Sequence, residues 1–171
     1  MKAAWVTAGT ILALALQTTA TRFLPGGVVV ADLVLVVVIY SALAGGPVTG
    51  LLAGTFAGFV QDVLSSGTGV IGIGGLAKTV VGFLTGIVGT QFIVAQPPSR
   101  FVTFAVATVV HAAVFIGVAV LLGLRDFGRP YAGVVGQALG NAVVGVVAFQ
   151  IAEFLPGAVE RRRMNRSRPR R

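Results

Sequence analysis

The chain contains no cysteine and only one histidine among its 171 residues. The missing cysteines exclude disulfides, thiolate catalysis and thiolate metal sites, and a single histidine excludes a histidine-rich metal site. Charge is also scarce: 11% of the residues are charged, against roughly a quarter in soluble domains. With 56% hydrophobic residues and a mean hydropathy of +0.94, the sequence cannot supply a water-soluble surface. It therefore predicts an integral membrane protein.

The net charge of +8 comes mainly from the end of the chain, where seven of the thirteen basic residues occupy the last eleven positions. Beside so much apolar sequence, these arginines favour a cytoplasmic tail that orients the protein and contacts anionic lipids. They do not indicate nucleic-acid binding. The tail positions selected for topology or lipid contact are Arg161, Arg162, Arg163 and Arg166.

Six apolar stretches approach the length of about 20 residues that a membrane span needs. They predict an all-α polytopic bundle in residues 1–158, followed by a basic, disordered tail in residues 159–171. The first stretch is expected to remain in the protein and not to be cleaved as a signal peptide. The predicted spans are residues 3–20, 27–44, 47–64, 71–93, 101–124 and 132–155.

The predicted connections are short, and their basic residues set the orientation. Residues 22–27 and 96–100 are expected to be connections, and Pro47 is expected in the first turn of the third span. The side that carries both termini holds nine basic residues outside the spans, and the opposite side holds three. Both termini are therefore expected in the cytoplasm.

Glycines spaced by four mark three of the spans. Residues four apart share one face of a helix, so each row forms a smooth stripe where another backbone can approach closely. We interpret these rows as helix-packing positions, with the third and fourth spans forming a tight hairpin. The rows are Gly46, Gly50, Gly54 and Gly58 in the third span, Gly82 and Gly86 in the fourth, and Gly136 and Gly140 in the sixth.

The second, third and fourth spans each contain one charged residue. Asp32 is near the start of the second span, where a carboxylate is favoured as a helix cap. Asp62 and Lys78 flank the turn of the glycine hairpin. The sequence leaves two interpretations of them open: they form an ion pair or partner-contact site, or each side chain reaches the membrane interface from its helix end.

Uncharged polar residues lie in the last two spans. His111 is near the middle of the fifth span, and Gln137 and Asn141 share a face of the sixth. We expect them to form interhelical hydrogen bonds, because a proton relay would need a carboxylate and these two spans offer none near His111. The sequence contains no nucleophile–base pair, carboxylate dyad or metal-ligand set, so neither catalysis nor a cofactor is predicted.

Five short segments occur in an order that resembles the MreD family of rod shape-determining membrane proteins. The similarity covers roughly residues 1–95, and the rest matches only by hydropathy. Ala31 departs from the pattern, because the family often has proline before the aspartate of the second span. The segments are Ala31–Val38, Gly46–Pro47, Gly50–Gly54, Gly58–Leu64 and Gly74–Gly86.

The resemblance implies a non-enzymatic scaffold of the bacterial elongation complex, in the cytoplasmic (inner) membrane. It implies MreC as the main partner, with MreB, RodA and a penicillin-binding transpeptidase as further members. It also implies a six-helix fold similar to the substrate-binding subunits of energy-coupling-factor transporters. The matched polar residues are Asp32, Asp62, Lys78 and Thr79.

That implied fold raises an alternative function, a small-molecule (vitamin) binding subunit of a transporter. Such a site would need polar or aromatic groups that converge near the outer face. The chain offers few candidates for it: Trp5, Tyr40 and Tyr131.

Overall fold

The computed structural model describes residues 2–23, 31–65, 71–92, 94, 96–124 and 131–167. This part of the chain contains six α-helices and no strand, which confirms the all-α prediction. Four of the helices, α3 to α6, are long and apolar enough to cross a membrane. The helices are α1 (Lys2–Phe23), α2 (Leu33–Gly45), α3 (Pro47–Ser65), α4 (Ile73–Gln91), α5 (Pro97–Leu121) and α6 (Tyr131–Ser167).

Helix α2 lies at the centre of the bundle and contacts each of the other five helices. It is apolar on all sides, as expected for a helix with no exposed face. Val34, Leu35, Val38 and Ile39 are completely buried. The 13 residues of α2 extend over about 20 Å at 1.5 Å per residue, which is less than the roughly 30 Å of a bilayer core. The end of α2 near residue 32 therefore lies inside the bundle.

Helices α3 and α4 form an antiparallel hairpin in which the two backbones touch. A Cβ atom added at Gly50 would come within 3.0 Å of the Gly82 carbonyl group, and one added at Gly82 would meet Gly50 in the same way. Gly54 faces the backbone of Lys78, and Gly58 faces that of Gly75. The two rows of glycines therefore allow α3 and α4 to pack against each other along their lengths.

Other glycines in the predicted rows have different surroundings. Gly46 has φ +86° and ends α2, its N–H donating to the Ala42 carbonyl, so its place is in the turn and not on a helix face. Gly86 packs against Pro47. Gly136 faces open space within 4 Å, and Gly140 is half-buried. At Gly136 the structure departs from the packing prediction, because no atom of the described residues would come within 4 Å of an added Cβ.

Two helices begin at residues other than those predicted from the sequence. The second span was expected to begin at residue 27, but α2 begins at Leu33, because Asp32 caps it there; residues 24–30 lie outside the described residues. Residues 96–100 were expected to be a connection, but α5 already begins at Pro97. Proline is tolerated in the first turn of a helix, where its missing N–H would have no intrahelical partner.

The end of the chain also differs from the prediction of a disordered tail. Helix α6 continues to Ser167, and only residues 168–171 of the tail lie outside the described part of the chain. The segment Ala158–Met164 contains alanine, glutamate, arginine and methionine, which favour helices, although Pro156 and Gly157 directly before it do not.

Helices α5 and α6 pair along their lengths. An added Cβ at Gly145 would meet the Phe104 ring, so this glycine admits a large side chain from α5. One turn earlier on α5, Arg100 donates two hydrogen bonds to the Glu153 carboxylate, and its guanidinium lies 4.5 Å from the centre of the Phe149 ring. The sequence interpretation had not paired Arg100 with Glu153.

The hairpin can be tested with alanine substitutions. Gly82→Ala should destabilise the protein by about 1–3 kcal/mol, because the added methyl group collides with the backbone of α3. Gly117→Ala is the matched control: Gly117 is also helical but faces open space, so alanine should leave stability unchanged or raise it by about 0.5–1 kcal/mol. The measurement is thermal unfolding in detergent. Equal midpoints for the two variants would contradict the packing account.

Candidate functional site

A buried ion pair joins α2 to α4. Lys78 Nζ lies 2.8 Å from Asp32 Oδ2, and the two side chains are only 4% and 7% exposed. This finding resolves the question that the sequence left open: Lys78 neither pairs with Asp62 nor reaches the membrane interface. Both partners of this ion pair are buried, and a buried charge is tolerated when an opposite charge and hydrogen bonds compensate it.

Asp32 also connects α2 to two further helices. Its Oδ1 accepts from the Leu35 N–H at 3.0 Å, so Asp32 is the N-cap of α2, and it lies 3.4 Å from Gln61 Nε2 on α3. The Asp32 N–H donates to Asn141 Oδ1 on α6 at 2.7 Å. A single residue thus ties the first turn of α2 to α3, α4 and α6.

His111 and Thr108 add α5 to this network. His111 Nε2 is 3.3 Å from Lys78 Nζ, and Asn141 Nδ2 donates to Thr108 Oγ1 at 3.0 Å. His111 and Asn141 therefore both form interhelical hydrogen bonds, but not with each other: His111 contacts Lys78, and Asn141 accepts from the Asp32 N–H. We call these six residues the polar core: Asp32, Gln61, Lys78, Thr108, His111 and Asn141.

Asp62 has a separate structural task at the start of α4. Its Oδ2 accepts from the Gly72 N–H at 2.9 Å and from the Gly75 N–H at 3.0 Å. The first N–H groups of a helix lack intrahelical partners, and a carboxylate there also interacts favourably with the helix dipole. Asp62 therefore fixes the end of the hairpin. One turn further along α4, Thr79 Oγ1 lies 2.9 Å from Thr55 Oγ1 on α3.

The remaining predicted site residues lie away from the polar core. Gln137 is half-buried on α6 and takes no part in the network. The four tail positions lie on the last part of α6, where the backbone is described and the side chains lie outside the described residues. These positions are Arg161, Arg162, Arg163 and Arg166.

Two cavities occur elsewhere in the described part of the molecule. One, of about 260 Å³, is an apolar groove between α4 and α5 whose polar side chains are Thr85 and Thr103. The other, of about 420 Å³, includes Arg100 and Phe149. Neither is lined by the ion pair or by His111. The polar core therefore lies apart from both of these cavities.

The ion pair predicts that substitutions removing the charge of Asp32 or of Lys78 have strongly coupled effects on stability. Lys78→Met leaves the Asp32 carboxylate buried without its partner and should cost about 3–5 kcal/mol of stability. Asp32→Asn keeps a good helix cap but strands the Lys78 ammonium, with a similar cost.

The double variant Asp32→Asn/Lys78→Met removes both charges and should be more stable than Lys78→Met alone. A double-mutant cycle of unfolding in detergent measures this coupling. The pair between Arg100 and Glu153, whose side chains are 7% and 58% exposed, offers a comparison: Glu153→Gln should have a smaller effect, since it removes the solvent-exposed partner and leaves an amide oxygen that can still accept from Arg100. Additive effects of the Asp32 and Lys78 substitutions would refute a direct interaction.

Comparison with known proteins identifies the family. The model of the family described as rod shape-determining protein MreD matches residues 2–151. No curated protein and no solved structure matches the chain. The match confirms the resemblance seen in the sequence, and together with the four long apolar helices it indicates a multi-pass membrane protein. The chain therefore belongs to the MreD family, whose members act in the determination of rod shape.

Proposed function

We propose that this protein is a non-enzymatic scaffold of the bacterial elongation complex in the cytoplasmic membrane. It would act in cell shape and lateral peptidoglycan synthesis by binding MreC, with MreB, RodA and a penicillin-binding transpeptidase joined to it indirectly. The family match to residues 2–151 is the observation that carries the proposal.

The contacts of the polar core support a structural role for the charged residues inside the bundle, which is to hold the helices together. Asp32 and Lys78 neutralise each other, and Asp62 caps α4. These groups are engaged in holding helices together, whereas a catalytic group must be able to reach a substrate. The polar core is also closed to both cavities. This arrangement favours a scaffold over an enzyme.

The outer surface suits contact with lipid or with helices of a partner. Helix α6 presents a row of exposed apolar side chains that repeat every four residues, and a transmembrane helix of MreC could pack on a face of this kind. MreC is the partner that the resemblance to the MreD family implies. The row consists of Val135, Leu139, Val143, Val147 and Ile151.

The proposal includes a topology. All six helices would insert in the membrane, as in the substrate-binding subunits of energy-coupling-factor transporters, with α2 enclosed by the others. Six crossings place both termini on one side, and the excess of basic residues makes that side the cytoplasm. The arginines at the end of α6 would then lie near anionic headgroups.

Depletion combined with co-purification tests the function. Depleting the protein should turn rod-shaped cells round, and a plasmid copy should restore the rods. MreC should be recovered from membranes with the tagged protein, and not with an unrelated multi-pass protein that carries the same tag.

Cells that stay rod-shaped, with no MreC recovered, would contradict the proposal. Saturable binding of a vitamin by the purified protein would instead support the transporter alternative. The apolar lining of the groove between α4 and α5 does not favour that result, since such ligands need several converging polar groups.

A further inference from the structure

The contacts of Lys78 fix the proton position on His111. An ammonium group can only donate hydrogen bonds, and Lys78 Nζ faces both Asp32 Oδ2 at 2.8 Å and His111 Nε2 at 3.3 Å. His111 Nε2 must therefore accept. An imidazolium would place a second positive charge against Lys78 in an apolar bundle, so the ring is neutral and its proton is on Nδ1.

This tautomer leaves a buried donor without an acceptor. His111 is 8% exposed, and its Nδ1 has no hydrogen-bond partner among the described residues. An unsatisfied buried donor is costly, and proteins generally satisfy such groups with another protein group or with an internal water molecule.

On the α3 side of the polar core, a buried hydrogen-bond acceptor lacks a donor. Gln61 turns its amide nitrogen towards Asp32, which leaves Gln61 Oε1 as a buried acceptor without a partner in the described structure. Gln17 Oε1 on α1 is a second such acceptor. Gln17 lies one turn beyond Ala13, which packs in the same cluster as Val34.

The unpaired donor, His111 Nδ1–H, and the unpaired acceptors, the Oε1 atoms of Gln61 and Gln17, together indicate the class of ligand. A metal cation would satisfy only the glutamine oxygens, and the ion pair is already neutral without it. An anion would satisfy only His111. A water molecule can accept from one group and donate to another, and buried waters typically make 2–4 hydrogen bonds.

We propose that the polar core is a binding site for internal water, with one molecule accepting from His111 Nδ1–H and another donating to Gln61 Oε1. These water molecules would contact His111 on α5 and Gln61 on α3, the side chains that neighbour the ion pair between Asp32 and Lys78. This inference does not depend on the proposed scaffold function.

The single histidine makes a direct experiment possible. Protein labelled with ¹⁵N-histidine and reconstituted in lipid vesicles reports only on His111, provided that the affinity tag is not polyhistidine. Solid-state NMR shifts of the two ring nitrogens give the tautomer, and water-edited spectra measure magnetisation transfer from water to the ring N–H. A second sample, labelled with ¹⁵N-valine and ¹⁵N-isoleucine, supplies the dry reference: the backbone N–H groups of Val38 and Ile39, which are completely buried on α2.

We expect one neutral tautomer with the proton on Nδ1, and a transfer from water that builds up faster than at the reference amides. In the Lys78→Met variant the donor to Nε2 is lost, so resonances of the other tautomer should appear; the wild-type measurement decides the question if this variant does not fold. A proton on Nε2 in the wild type, or a proton on Nδ1 with no faster transfer than in α2, would overturn the proposal.

Discussion

The ion pair between Asp32 and Lys78 is the interaction on which the arrangement of the helices depends. Separating two opposite charges inside an apolar bundle costs much free energy, because each charge would remain buried without a partner. Asp32 is also the N-cap of α2, so the pair fixes where the central helix begins. Through Gln61, His111 and Asn141, the same few atoms engage α3, α5 and α6. Five helices thus meet at the polar core.

The glycine hairpin and the ion pair support each other. Close contact between α3 and α4 requires glycine at both Gly50 and Gly82. Gly54 lies against the backbone of Lys78, so the packing of α3 positions the residue that carries the ammonium. Asp62 fixes the start of the same helix from the other direction. The position of α4 is therefore fixed by backbone packing along its length and by the Asp62 carboxylate at its start. This position brings Lys78 into contact with Asp32 at the start of α2.

The sequence predicted the features that depend on local pattern, and it missed those that depend on which helices become neighbours. Six helices, the glycine hairpin and a capping role for Asp32 all follow from spacing and residue type. The partner of Lys78 did not follow, because Asp62 is nearer in the chain, whereas Asp32 is brought close only by tertiary packing. A usable signal existed, since two opposite charges in apolar spans must usually be compensated. Nothing in the sequence indicated that Gly136 would face open space, since its spacing resembles that of the paired glycines.

The distance between an aspartate carboxyl carbon and a lysine Nζ tests the central claim most directly. The chain has two lysines and three aspartates, so ¹³C-aspartate and ¹⁵N-lysine labels give a simple dipolar-recoupling NMR spectrum in lipid. The account predicts one close pair, with the carboxyl carbon within about 4 Å of the nitrogen, which is lost in Asp32→Asn and retained in Asp62→Asn. No close pair, or a pair that is lost in Asp62→Asn and retained in Asp32→Asn, would contradict it.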